Sequence, residues 1–81
     1  MASDPRSSAR AVHVVSEMVA NVMKVLVAPG DRLEAGDPVV LLESMKMEIP
    51  VLVESAGTVS AVKVSEGDVV QEGDVLVTFE A

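Results

Sequence analysis

The sequence predicts an all-β domain: a flattened β-barrel or sandwich of two four-stranded antiparallel sheets with quasi-twofold symmetry. The 81 residues include eighteen valines but one phenylalanine, no tryptophan and no tyrosine. Valine is β-branched and favours strands over helices. Glycine-aspartate pairs recur along the chain and are typical of turns. The second half of the chain also repeats the first.

The repeat has an offset of 37 residues, because Val25 aligns with Val62 and 62 − 25 = 37. Two Gly-Asp pairs at the same spacing in both halves are hard to obtain by chance. The repeat therefore predicts two similar halves of four strands each. The matched pairs are Gly30-Asp31 with Gly67-Asp68, and Gly36-Asp37 with Gly73-Asp74.

Each half is predicted to contain two strands, a Gly-Asp turn, a short extended piece, a second Gly-Asp turn and a last strand. Glycine supplies positive φ in such turns and aspartate bonds its own backbone there. We interpret the pairs as turns and not as metal or phosphate loops. The predicted strands are Val12 to Met18, Val22 to Val27, Arg32 to Glu34, Val39 to Glu43, Ile49 to Glu54, Thr58 to Val64, Val69 to Gln71 and Val75 to Glu80.

The first residues are small, polar and aperiodic, so we expect residues 1–11 to form a disordered tail and residues 12–81 to form the domain. The chain starts with Met and ends just after the last predicted strand, which favours a free-standing protein over an excised domain.

The net charge of −7 argues against a nucleic-acid partner, because phosphate contacts need clustered Lys and Arg. It also argues against docking on anionic lipid. We find neither a membrane-spanning run nor a signal peptide, which predicts a cytoplasmic protein. The chain has no cysteine, and its single histidine, His13, is expected to start a strand. We predict neither a metal site nor catalytic residues.

The two halves meet at Glu43-Ser44-Met45-Lys46-Met47-Glu48. Strands are predicted on both sides, which leaves room only for a tight hairpin. Tight hairpins need positive φ at the tip, which Met and Lys adopt only at a cost. We therefore expect Lys46 to be exposed at one end of the domain, on a turn built for something other than folding.

The segment resembles the Ala/Ser-Met-Lys-Met signature of biotinyl domains, and the resemblance extends from Val12 to Glu80. It implies the flattened barrel described above, with the acceptor lysine on a protruding hairpin. Lys46 would carry covalent biotin, and Met45 and Met47 would flank it. The remaining hairpin residues would be Glu43, Ser44 and Glu48.

The resemblance also implies a function, that of a non-catalytic carboxyl carrier. A biotin protein ligase would acylate Lys46. The tethered biotin would then carry CO₂ as carboxybiotin from a biotin carboxylase to a carboxyltransferase. The expected complex is an acyl-CoA carboxylase, such as the acetyl-CoA carboxylase of fatty acid biosynthesis. In isolation the carrier is expected to be a monomer.

Two alternatives stay open, a lipoyl carrier domain of an acyl-transfer complex and an unmodified interaction domain. Lipoyl domains share the fold but usually place Asp before the lysine and Ala after it, so Met45 and Met47 favour biotin. The two other lysines, Lys24 and Lys63, fall within predicted strands and are expected to face solvent.

The chain departs from the biotinyl pattern in two places. Ala20-Asn21 stands where the family often has glycine, and we expect Asn21 to tolerate the positive φ of a turn there. The short segment between Pro29 and Pro38 leaves no room for the inserted thumb that touches biotin in some carriers.

Overall fold

The computed structural model describes residues 10–81, and all eight predicted strands are found there. Residues 1–9, most of the predicted tail, lie outside the described residues. Within residues 10–81 no helix is long and apolar enough to cross a membrane. The strands are β1 (Ala11–Val15), β2 (Ala20–Val25), β3 (Arg32–Leu33), β4 (Pro38–Ser44), β5 (Met47–Leu52), β6 (Gly57–Val62), β7 (Val69–Val70) and β8 (Val75–Glu80).

The strands form two four-stranded antiparallel sheets, as predicted. One sheet has the order β1-β8-β6-β3 and the other β5-β4-β2-β7. Adding 37 to the residue numbers of β2 and β3 gives the bounds of β6 and β7. Strands β1 and β4 likewise correspond to β5 and β8, so each strand of one sheet has a repeat mate in the other sheet. The centre of each sheet comes from one half of the chain and both edges come from the other half.

Four Gly-Asp turns connect the strands, and they share one geometry. The glycines have φ between 92° and 96°. In each turn the aspartate carboxylate accepts a hydrogen bond from the backbone N–H three residues earlier, at 2.8–2.9 Å. This local pairing confirms that the pairs are structural turns. The carboxylates belong to Asp31, Asp37, Asp68 and Asp74.

Each turn is also tied to the opposite half of the chain. The Gly30 N–H donates to the carbonyl of Val59 at 2.8 Å, and the Val59 N–H donates back to the carbonyl of Asp31 at 2.8 Å. The other three turns repeat this pair of bonds. Their partners are Val53 for Gly36-Asp37, Val22 for Gly67-Asp68 and Ser16 for Gly73-Asp74.

The core between the sheets is built from small aliphatic side chains around one aromatic ring. Phe79 is the largest fully buried residue, and its repeat mate Leu42 is equally buried. On the other face of β8, Thr78 is covered by His13, whose Nδ1 lies 3.1 Å from the Thr78 hydroxyl. His13 therefore lies within β1, paired with Thr78. The contact between His13 and Thr78 links the two paired strands β1 and β8.

The first strand ends earlier than predicted, at Val15 instead of Met18. The Ser16 hydroxyl donates to the carbonyl of Met18 at 2.6 Å, which turns the chain locally. The following strand starts earlier than predicted, at Ala20 instead of Val22.

Lys63 lies just beyond β6 and not within a strand, although it is exposed as predicted.

The expected turn at Ala20-Asn21 is wrong, because both residues lie in β2 with ordinary φ. The glycine at the repeat mate, Gly57, is required by a close approach instead. A Cβ there would overlap the Glu80 carbonyl oxygen and lie 2.5 Å from the Phe79 ring. At Ala20 the residue equivalent to Phe79 is the smaller Leu42, so the ring contact found at Gly57 has no counterpart there.

We expect Gly57→Ala to lower the free energy of unfolding by more than about 2 kcal/mol, because overpacking displaces backbone and side chains. Adding Phe79→Leu copies the Ala20–Leu42 pair of the other half. The double variant should therefore lose less stability than the sum of the two single variants. Urea unfolding of all three chains measures this coupling, and simple additivity would contradict the account.

Candidate functional site at the hairpin between the halves

The connection between β4 and β5 is a two-residue turn, Met45-Lys46. Ser44 and Met47 pair directly across it, so the ladder continues to the base of the turn. Met45 has φ 54° and Lys46 has φ 64°. Positive φ at both central positions is what a type I′ hairpin requires. In residues 10–81 these are the two non-glycine residues with positive φ.

The tip of this hairpin is exposed and apolar on both sides of the lysine. Met45 is 90% exposed and Met47 is 64% exposed, and Lys46 is exposed between them. Methionine side chains adapt to different apolar partners. Since neither methionine contributes to the core, their role concerns what meets the hairpin from outside.

The base of the hairpin carries a pair of like charges. Glu43 and Glu48 stand directly opposite each other in the β4–β5 register. Like charges in this position destabilise a strand pair. Glu43 and Ser44 are half-buried, whereas Glu48 is exposed.

The β1–β2 connection, residues 16–19, lies at the same end of the molecule as the hairpin. Asn21 pairs with Glu43, so the residues that precede β2 extend to the level of the tip. Glu17 and Met18 of this connection line a cleft together with residues 49–52 of β5. Sequence reasoning missed both residues because it assigned them to the first strand.

Lys46 differs from the two other lysines in its local structure. Lys24 lies in β2 and Lys63 follows β6, and both side chains are exposed. Neither occupies a two-residue turn with positive φ. Lys46 thus combines an accessible primary amine with exposed apolar neighbours on a two-residue turn.

Comparison with known proteins assigns the family. The family described as "Biotin-requiring enzyme" matches residues 11–79, and the chain belongs to it. A biotinylated protein TB7.3 homolog of Mycobacterium leprae is 58% identical over 63 residues, covering 78% of this chain and 89% of that protein. A biotin/lipoyl attachment protein of Bacillus subtilis is 52% identical over 60 residues, covering 74% and 82%.

A third relative is a biotin carboxyl carrier protein of Streptococcus mutans, 41% identical over 75 residues, or 91% of this chain and 58% of that protein. A single-chain long-chain acyl-CoA carboxylase contains a similar structure, with TM-score 0.82 and 30% identity over 86% of this chain and 7% of that one. The lipoyl domain of the Azotobacter vinelandii 2-oxoglutarate dehydrogenase complex gives TM-score 0.65 and 26% identity, covering 75% and 77%.

These comparisons confirm the expected family, the fold and, from the family and its relatives, biotin as the covalent cofactor. The hairpin fits such a group, because it presents one amine in the open between apolar side chains.

The turn itself yields a prediction about stability. Replacing Met45 by Asn and Lys46 by Gly should raise the free energy of unfolding by about 2–4 kcal/mol, because left-handed backbone costs roughly 1–2 kcal/mol per residue outside Gly and Asn and two residues are relieved. Denaturant unfolding measures the change. Met45→Leu keeps the unfavourable backbone and serves as the control, which should remain near the parent. A double variant no more stable than Met45→Leu would contradict the assigned strain.

Proposed function

We propose that this chain is a biotin carboxyl carrier in which Lys46 is the residue that a biotin protein ligase acylates. The observation that carries the proposal is the placement of Lys46 on a two-residue turn with positive φ, between exposed Met45 and Met47. Energetically unfavourable backbone of this kind persists where the surrounding structure enforces it, and it concentrates at functional sites.

The acylation step requires little of the carrier itself. The Lys46 amine attacks the carbonyl carbon of an acyl-adenylate held by the ligase, an amide bond forms and AMP leaves. Since an ammonium has no lone pair, the amine must lose a proton first, and the ligase provides the base and the orientation. The carrier contributes exposure and a fixed hairpin.

After acylation the carrier acts by tethering. The bound cofactor supplies a ureido nitrogen that transports a carboxyl group between two active sites, and those sites belong to other proteins or domains. Tethering raises the local concentration of the cofactor at both sites without any new contact. The carrier needs no catalytic residue of its own for this role.

We propose a biotin carboxylase and a carboxyltransferase as the two partners, with an acyl-CoA carboxylase of fatty acid biosynthesis as the complex. The structural likeness to part of a long-chain acyl-CoA carboxylase supports this choice. With a net charge of −7, the carrier favours basic surfaces on its partners. We further propose a monomeric carrier in the cytoplasm, where ATP and bicarbonate support carboxylation.

Lipoate is the second candidate for the group on Lys46. The likeness to a lipoyl domain and the name of the Bacillus subtilis relative favour keeping it. The methionines on both sides of Lys46 favour biotin, because lipoyl domains usually carry Asp and Ala there. The two groups differ in mass, so one measurement separates them.

Incubation with a biotin ligase, ATP and biotin should add the mass of one biotinyl group to each chain. Lys46→Arg keeps the charge and the turn, and it should abolish the gain because the guanidinium is not an acceptor. Lys24→Arg and Lys63→Arg are the matched controls and should react like the parent. Intact-mass spectrometry reads all four chains.

A gain of mass that survives in Lys46→Arg would refute Lys46 as the acceptor. A parallel reaction with a lipoate ligase tests the alternative, and modification by that enzyme alone would replace biotin by lipoate in the proposal. A parent chain that reacts with neither ligase would leave the unmodified interaction domain as the function.

A further inference from the structure

A cleft of about 180 Å³ opens beside the hairpin, between the β1–β2 connection and the edge strand β5. Leu42 forms its floor and is fully buried. Leu42 pairs across the ladder with Ile49, which is three residues from Lys46. The walls are Glu17, Met18 and residues 49–52, so the lining side chains are apolar apart from Glu17, while backbone groups add polar surface.

An apolar track leads from the tip into this cleft. Side chains alternate along a strand, so Met47, Ile49 and Val51 point to the same face of β5. Met47 is exposed, whereas Ile49 and Val51 are half-buried and pack against the core. The track therefore begins at the neighbour of Lys46 and deepens toward the cleft.

We propose that this cleft binds the ring system of the biotin attached to Lys46, an inference that rests on the function proposed above. Small-molecule sites combine apolar walls with a few placed polar groups. The fused ring of biotin is largely apolar, and its ureido group offers two N–H donors. Glu17 lines the cleft and carries a carboxylate that accepts hydrogen bonds, and the other lining side chains are apolar.

The reach of the arm agrees with this position. Along β5 the strand advances by about 3.3 Å per residue, so Ile49 lies about 10 Å from Lys46 and Leu52 about 20 Å. Eleven bonds separate the Lys46 Cα from the ring, or about 13 Å at roughly 1.2 Å per bond in an extended chain. The ring can enter the near end of the cleft at Ile49 and Met18.

The repeat supplies an internal control. The mates of the cleft residues line a second cleft of about 300 Å³, which adjoins the first. Its Glu54 lies eight residues from Lys46 and beyond the end of β5, and the six strand steps to Leu52 alone span about 20 Å, which exceeds the reach of the arm. Ser55 stands there in place of Met18. The second cleft has the same architecture without the methionine wall.

The ¹H–¹⁵N NMR spectra of the apo and biotinylated chains test the proposal. Amides of residues 45–47 will shift in any case, because the modification is adjacent. Docking should also shift the amide resonances of Glu17, Met18 and Ile49. The amide resonances of their repeat mates Glu54, Ser55 and Val12 should not shift. Shifts confined to residues 45–47 would overturn the proposal.

Met18→Ser installs the residue found at the repeat mate and should abolish the remote shifts in the biotinylated chain. Met23→Ser is the matched control, since Met23 is also half-buried but lines neither cleft. The same spectra show whether each variant is folded. Glu17→Gln changes an exposed residue and should weaken the remote shifts without affecting the fold.

Avidin capture gives a second readout. A docked ring is protected from avidin, so Met18→Ser should be captured faster than the parent, by about twofold if the ring is docked half of the time. Equal capture rates would count against docking. Intact mass establishes biotinylation separately, so loss of docking in a biotinylated chain leaves the proposed function standing, whereas absence of the mass gain refutes that function.

Discussion

The structure depends on the backbone bonds that each Gly-Asp turn makes to the opposite half of the chain. Because the centre of each sheet comes from one half and its edges from the other, neither half can complete a sheet alone. The two halves are linked covalently by Met45-Lys46. Because Ser44 pairs directly with Met47, this link must be a two-residue turn. Interlocking of the halves thus forces a tight, protruding turn at the residue that carries the proposed function.

Local preferences at this turn oppose the fold. Met and Lys adopt left-handed backbone at a cost of roughly 1–2 kcal/mol each, and Glu43 faces Glu48 across the ladder. The rest of the domain offsets these costs through its core and its four cross-half turns. A sequence selected for folding alone would place Asn-Gly at the tip. Its absence supports the proposal that the side chains at these two positions serve the attached group.

The fold was predictable because the repeat shows each turn and strand twice. A turn pattern that recurs at a fixed offset is unlikely to arise by chance. The ends of the strands were less predictable. The first strand was expected to reach Met18, but the Ser16 hydroxyl bonds the Met18 backbone, an interaction that leaves no periodic signal. The position of Lys46 followed from the seam between the halves. The cleft at Glu17 and Met18 could not be predicted, because it depends on the register of Asn21 with Glu43.

The quasi-twofold symmetry makes one half a reference for the other, so differences between mates require an explanation. The difference between Ala20 and Gly57 accompanies a difference in packing, because the smaller Leu42 stands where Phe79 crowds Gly57. Met18 and Ser55 each line a cleft whose buried residue also differs, with Leu42 beside Met18 and Phe79 beside Ser55. The methionine is found in the half of the molecule that Lys46 can reach. The larger methionine accompanies the smaller Leu42 and packs against the core, so packing accounts for this difference too. The proposed docking of biotin would therefore use a side chain that the fold already places within reach of Lys46.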